Sequence, residues 1–305
     1  MSDGDRSLGA PDRTTLAAFV LAVTLAGGNA VAIRYISCEG CELDPFWGAA
    51  TRFLLASLIL AVITIVIRAP TPRGRALLGA MLYGGLQFGA GFGLVYWGLV
   101  RAPAGLGQVL LASVPLLTFG LAVAHRQERF RWEGLIGAAL AIGGIAVVFG
   151  SGVDAGVPLT SMFAIVLGAA CFAEALIVIK GFPSVHPAAM NAVGMGVGTV
   201  VLLALTLIFG EELVIPEAGS TWRAQTYLVI VGSIGVFWLY VFVVERWTAS
   251  AASYQLVLIP LVTVVVAAWL QDERITWAFA AGSILVLIGV YFGALRRPSA
   301  DREAT

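Results

Sequence analysis

Residues 114 to 137 read VPLLTFGLAVAHRQERFRWEGLIG, and residues 259 to 282 read IPLVTVVVAAWLQDERITWAFAAG. Laid over one another without a gap, 145 residues apart, they match Pro115 with Pro260, Leu116 with Leu261, Thr118 with Thr263 and Ala122 with Ala267. The register holds through Glu128 with Glu273, Arg129 with Arg274, Trp132 with Trp277, Gly137 with Gly282 and Gly144 with Gly289. Apolar helices share composition by chance, but an ungapped series that includes Pro, Glu-Arg and Trp marks an internal duplication.

The surrounding sequence says what was duplicated. Of 305 residues, 59% are hydrophobic and 12% charged, with a mean hydropathy of +0.94, too apolar for an ordinary soluble domain. The chain reads as an all-α integral membrane protein. A bilayer core about 30 Å thick needs roughly 20 apolar residues, and such windows recur near 15 to 35, 46 to 67, 75 to 99, 103 to 124 and 132 to 149. Five more lie near 158 to 180, 187 to 209, 223 to 244, 248 to 270 and 275 to 294. Ten transmembrane helices are therefore expected, five per copy, in repeats spanning 15–149 and 158–294. A loop at 150–157 joins them, and tails at 1–14 and 295–305 flank them. Because five is odd, the second copy must enter the membrane in the opposite sense. Such inverted repeats can exchange conformations and expose a midplane site to either side in turn.

Charge orients the chain. With the amino terminus inside, 13 of 18 basic residues fall on cytoplasmic segments, including Arg68, Arg73, Arg75, Arg126, Arg129, Arg131 and Lys180. The outer side holds Arg34, Arg101, Arg223 and Arg274, and Arg52 lies inside the second span. The positive-inside rule then expects both termini in the cytoplasm of a multi-pass cell-membrane protein. The polar, acidic stretch MSDGDRSLGAPDRTT argues against a removable signal peptide. Zero net charge points to no nucleic-acid partner. Cys38 and Cys41 form a lone CEGC without partner ligands, so neither metal nor cofactor is expected, and a disulfide between them stays open.

Three features carry a family resemblance: GGNAVAIRY closing the first span, FWGAATRFLLASLIL in the second, and the paired P-L-x-T … E-R-x-x-W segments ending each half. Through them the chain resembles the EamA-type family of the drug/metabolite transporter superfamily. It departs from the usual pattern at Gly28, which follows Gly27 where a Trp-Gly or similar pair is common. The resemblance implies ten helices in two inverted five-helix units, and movement of small organic solutes such as amino acids, other metabolites or toxic compounds, often outward.

A charge in hydrocarbon is costly and by default a functional candidate. Glu174, within GAACFAEALIVIK, is six residues before Lys180 and so about 9 Å from the cytoplasmic end of its helix. It either packs against a neighbouring helix or faces a cavity. Tyr83, Asn191, Trp238, Tyr240, Tyr254 and Gln255 fall in the same cytoplasmic half, a ring of amide, hydroxyl and aromatic groups suited to a small solute. Asn29 is the duplicate of Glu174 and heads an outer polar set. Arg52 either meets a substrate carboxylate or pairs with Glu42 or Asp44, the pairing being favoured. Gln87 and Gln108 are buried amides for the cavity or for interhelical bonds. Pro115 and Pro260 each free a carbonyl, on Leu111 and Leu256, and symmetric kinks there suit gating. Gly85, Gly89 and Gly93 mark close helix packing.

An enzyme would need more than His125 and His186 and no nucleophile motif, and a channel would need repeated polar rings. With Arg52 the one basic residue deep in a span, phosphate-bearing sugars fit poorly. The expectation is an alternating-access exporter of small organic metabolites, amino acids first, with toxic cations or a solute channel as alternatives. Proton coupling and a homodimer stay open.

Overall fold

A backbone in hydrocarbon has to satisfy its own N–H and C=O groups, so each apolar window folds as a helix. The computed structural model describes residues 12–34, 36, 42–102, 104–149, 157–271 and 276–295, and these contain helices and turns but no strand. Among these described residues, ten membrane-length rods result. They are α1 Arg13–Arg34 and α2 Pro45–Val66, α3 Arg75–Leu99, α4 in two pieces, Ala104–Leu111 and Val114–Ala124, and α5 Trp132–Phe149. The second half has α6 Leu159–Gly181 and α7 Pro187–Phe209, α8 Gly219–Arg246, α9 in two pieces, Ala249–Ser253 and Gln255–Gln271, and α10 Trp277–Leu295. Local chemistry sets several ends: Pro45 and Pro187 open their helices, Thr248 and Thr276 accept backbone N–H bonds as caps, and Gly210 at φ 71° closes α7. Rod α8 starts before its apolar window because the polar turn around Thr221 and Gln225 continues the helix. The side that carries His125 and Lys180, expected to be cytoplasmic, is the inner one, and the opposite side the outer.

The packing obeys the duplication. Rod α2 lies against α7 and α5 against α10; α1 packs on α8 and α9 as α6 packs on α3 and α4. Exchanging the copies maps each pairing onto itself or onto its counterpart, as a two-fold axis between inverted five-helix units requires. The paired glycines explain the α5–α10 contact: a Cβ on Gly144 would lie 2.6 Å from the Gly282 carbonyl oxygen, and one on Gly137 would lie 2.7 Å from that of Gly289. Backbones touch there because no side chain intervenes.

The duplication also reaches local geometry that the sequence comparison did not anticipate. Rod α3 widens into a π-helix at Gly85–Gly91 and α8 at Leu228–Gly235, the same place in the two copies. The prolines are less symmetric than expected. Pro115 opens the second piece of α4 just after a break, whereas Pro260 lies within a continuous helix and α9 breaks earlier, at Tyr254. Of the α3 glycines, Gly89 and Gly93 press on Val201 and Leu205 of α7, while Gly85 faces open space. Large apolar side chains such as Leu58, Val62, Leu159, Phe163, Leu207 and Ile284 point outward, the surface a bilayer demands.

Candidate functional site

Helix α6 buries almost every side chain over its inner half, but Glu174 keeps 29% of its side-chain surface exposed. Its partner is His125, the first residue beyond α4, with Nε2 3.5 Å from Oε1; this is the one ion pair among the described residues when the imidazole is protonated. The pair joins two rods of opposite copies. A carboxylate that is open on one side and loosely paired can exchange its imidazole for another cation.

Beside α6, Tyr83 and Asn191 are fully buried and bonded to each other: the Tyr83 hydroxyl donates to Asn191 Oδ1 at 3.1 Å. Asn191 Nδ2 donates to the Phe237 carbonyl at 2.9 Å and the Pro187 carbonyl at 3.0 Å, so one amide ties α3, α7 and α8. Gly194 leaves the room that the Tyr83 ring fills. Phe53, Phe88, Phe92 and Phe237 form an aromatic cluster with ring centroids 4.7 to 6.5 Å apart. Gln87 Oε1, Tyr240 hydroxyl and Gln255 Nε2 are buried without hydrogen-bond partners. A buried polar atom without a partner is costly, so these three are groups with bonding capacity to spare.

In the outer half, Arg52 is 2% exposed. It donates from Nε to Ser233 Oγ at 2.7 Å and from Nη2 to the Gly232 carbonyl at 2.9 Å, both in the α8 π-helix. Asn29 Nδ2 donates to the same carbonyl at 3.3 Å, and its Oδ1 has no partner. The expected pairing of Arg52 with Glu42 or Asp44 does not form. Those carboxylates turn instead to the α7–α8 loop, Glu42 accepting from the Glu217 and Ala218 N–H groups and Asp44 from that of Glu212. Glu211 reciprocates by accepting from the Phe46 and Trp47 N–H groups at the start of α2. Bonds from Thr221 and the loop amides hold the Glu42 carboxyl below its ordinary range, while burial raises that of Glu211.

The inner side has a matching clasp. Glu128 accepts from Ser250 N at 2.9 Å and from Ser250 Oγ at 2.6 Å, capping α9, and Arg131 donates to the Gly293 carbonyl at 2.8 Å. Tyr254 belongs to this clasp, its hydroxyl lying against Gly293. Trp238 packs edge-on to His186 at the inner rim, and Gln108 is half-buried on the outer piece of α4. The structure thus joins Tyr83 to Asn191 and brings Tyr240 near, but places Trp238, Tyr254 and Gln108 elsewhere. Cys38 and Cys41 lie outside the described residues. The departure at Gly28 is filled by Tyr227, whose hydroxyl bonds to the Leu25 carbonyl. His125 and Ser233 were not singled out from sequence. Depth matching could have found His125, since it directly follows the α4 apolar stretch as Glu174 precedes Lys180, but a lone serine in an apolar run carries no signal.

The EamA-like transporter family model matches residues 13–150 and again 159–294. The chain is 29% identical over 265 residues to a probable terminal-alkyne amino-acid exporter of Streptantibioticus cattleyicolor, covering 84% of this chain and 86% of that one. It is 27% identical to the inner membrane transporter YedA of Escherichia coli, covering 81% and 83%, and 26% identical to a probable amino-acid metabolite efflux pump of the same species, covering 82% and 85%. A solved crystal structure shares the fold at a TM-score of 0.80 and 17% identity, over 97% of this chain and all of that one. With the family matched once in each half of a ten-helix inverted repeat, the chain belongs to the EamA-like transporter family and is a multi-pass membrane transporter rather than an enzyme.

Proposed function

We propose that the protein exports amino acids and related small organic metabolites from the cytoplasm by alternating access, in the cell membrane and with both termini inside. The observation that carries this reading is the Glu174–His125 pair: a carboxylate within a span, partly open and held by one imidazole at 3.5 Å. A substrate ammonium arriving from the cytoplasm replaces His125 at Glu174, an exchange of one cation for another that avoids leaving a charge unpaired in the membrane. Gln87 Oε1, Tyr240 hydroxyl and Gln255 Nε2 offer unused bonding capacity, and Tyr83 with Asn191 ties α3, α7 and α8 together. The inner clasp at Glu128 and Arg131 and the outer one at Glu42 and Glu211 are the contacts that must break in turn, with the discontinuities near Pro115 and Tyr254 as hinges. Two relatives whose names specify amino-acid export support the substrate class.

The test is flux of a labelled amino-acid and amine panel through proteoliposomes, with and without a pH gradient, for wild type, Glu174→Gln and His125→Gln. Wild type should move amino acids, and Glu174→Gln should lose that flux or its pH dependence. Normal transport by Glu174→Gln would make the glutamate structural. Movement of amines alone would replace amino acids by cationic compounds as the substrate class.

A further inference from the structure

Among the described residues, Arg52 is a cation without an anion. The described groups around its guanidinium are neutral: Ser233 Oγ, the Gly232 carbonyl, the Tyr96 and Tyr227 hydroxyls, and the Phe53 ring with its centroid 5.0 Å from Cζ. No carboxylate among the described residues pairs with it. Neutral acceptors satisfy N–H groups but do not cancel a charge, and an uncompensated buried cation is expensive. Were the role only to join α2 to α8, an uncharged side chain would do it at lower cost. The second observation is Asn29. Its Nδ2 shares the Gly232 carbonyl with Arg52, while its Oδ1 is buried, unpartnered and directed at Gly232, where a Cβ would collide with it. A positive fork and an amide oxygen without a donor therefore meet at one residue, Gly232, a pairing complementary to a carboxylate with a neighbouring N–H donor. The anchor itself is a π-helix, whose looser hydrogen bonding lets Gly232 and Ser233 shift.

We propose that Arg52 is the station in the outer half that receives the carboxylate of the transported solute, with Asn29 Oδ1 accepting from its adjacent ammonium. The site rests on the amino-acid reading above and deepens it. The ammonium is taken first at Glu174 near the cytoplasm and then, as the solute moves outward, at Asn29 while Arg52 takes the carboxylate, so the two copies serve one zwitterion in succession.

The experiment measures binding to the purified full chain of L-leucine, L-leucinamide, which lacks the carboxylate, and 4-methylpentanoate, which lacks the amine, alongside leucine flux. Wild type should prefer leucine to leucinamide. Arg52→Gln should weaken leucine roughly 10- to 100-fold, the range of a charge-assisted hydrogen bond, and leave leucinamide as it was. Asn29→Leu should weaken leucine but not 4-methylpentanoate. Ser233→Ala, which removes an anchor and keeps the guanidinium, should retain the preference for acid over amide, and where Arg52→Gln does not fold, the neutral Arg52→Met and Asn29→Leu carry the same comparison. A preference that survives in Arg52→Gln, or is absent from wild type, overturns the site, and in the first case leucine flux leaves export standing. Arg52-dependent binding of 4-methylpentanoate without any amino-acid flux upholds the site and removes the export reading instead.

Discussion

Substituting Gly144 by alanine adds one methyl group at the closest approach of the two repeats. Its Cβ would lie 2.6 Å from the Gly282 carbonyl oxygen, 2.7 Å from Val286 Cγ2 and 2.8 Å from Val286 N. Two of these atoms are backbone and cannot rotate away, so α10 has to retreat by most of an ångström to reach ordinary contact. Overpacking of this kind costs about 1–3 kcal/mol, or roughly 5- to 150-fold in the folding equilibrium. Gly143, one residue earlier, has nothing within 4 Å of an added Cβ. Gly143→Ala keeps the same chemistry on the same helix and gains up to about 1 kcal/mol of helix propensity. Chemical unfolding in mixed detergent, or the thermal midpoint of the purified protein, should therefore separate the neighbours in sign: Gly144→Ala lower, Gly143→Ala equal or higher. Gly282→Ala should repeat the loss, because its Cβ would lie 2.5 Å from the Gly144 carbonyl oxygen. Equal effects at 143 and 144 would refute the backbone crossing and the two-fold packing built on it.

Asn191→Ala should destabilise by about 1–3 kcal/mol, because it strands the buried Tyr83 hydroxyl and Phe237 carbonyl; Tyr83→Phe, which leaves both donations of Asn191 intact, should cost about 1 kcal/mol, and the same unfolding assay compares them. Glu128→Ala removes the cap on Ser250 and should cost about 1 kcal/mol locally, read as faster amide exchange over residues 249–253. The outer clasp should respond to acid. The lowered carboxyl of Glu42 contributes fully above the ordinary carboxylate value and loses its contribution as pH falls through the folded value. Glu211, raised by burial, has the opposite sign, favouring the closed loop below the ordinary value and weakening as pH rises through the folded one. Protection of the 211–218 amides from exchange, relative to their intrinsic rates, should thus fall below about pH 4, Glu42→Gln should flatten that dependence, and Glu211→Gln should steepen it. An unchanged profile in Glu42→Gln would count against the clasp.

Legible in the sequence alone were the properties that repeat along the chain. Apolar windows, the 145-residue offset and the clustering of arginines are one-dimensional signals, and they determined ten helices and the inverted duplication. Even the α5–α10 crossing was implicit, because Gly137, Gly144, Gly282 and Gly289 recur at one spacing and glycine is what lets backbones touch. Which face of each helix turns inward was decided only by tertiary structure. Helix α6 is apolar on every side, so periodicity gives Glu174 no direction; its pairing with His125 depends on how far α6 slides along α4. The same holds for Arg52, whose nearest acids in sequence, Glu42 and Asp44, are drawn away by backbone amides of a loop some 170 residues distant. A charge takes its partners from whatever the packed rods bring within about 3 Å, and in a chain with few polar side chains those partners include backbone atoms, such as the Gly232 carbonyl, that the sequence does not distinguish from others.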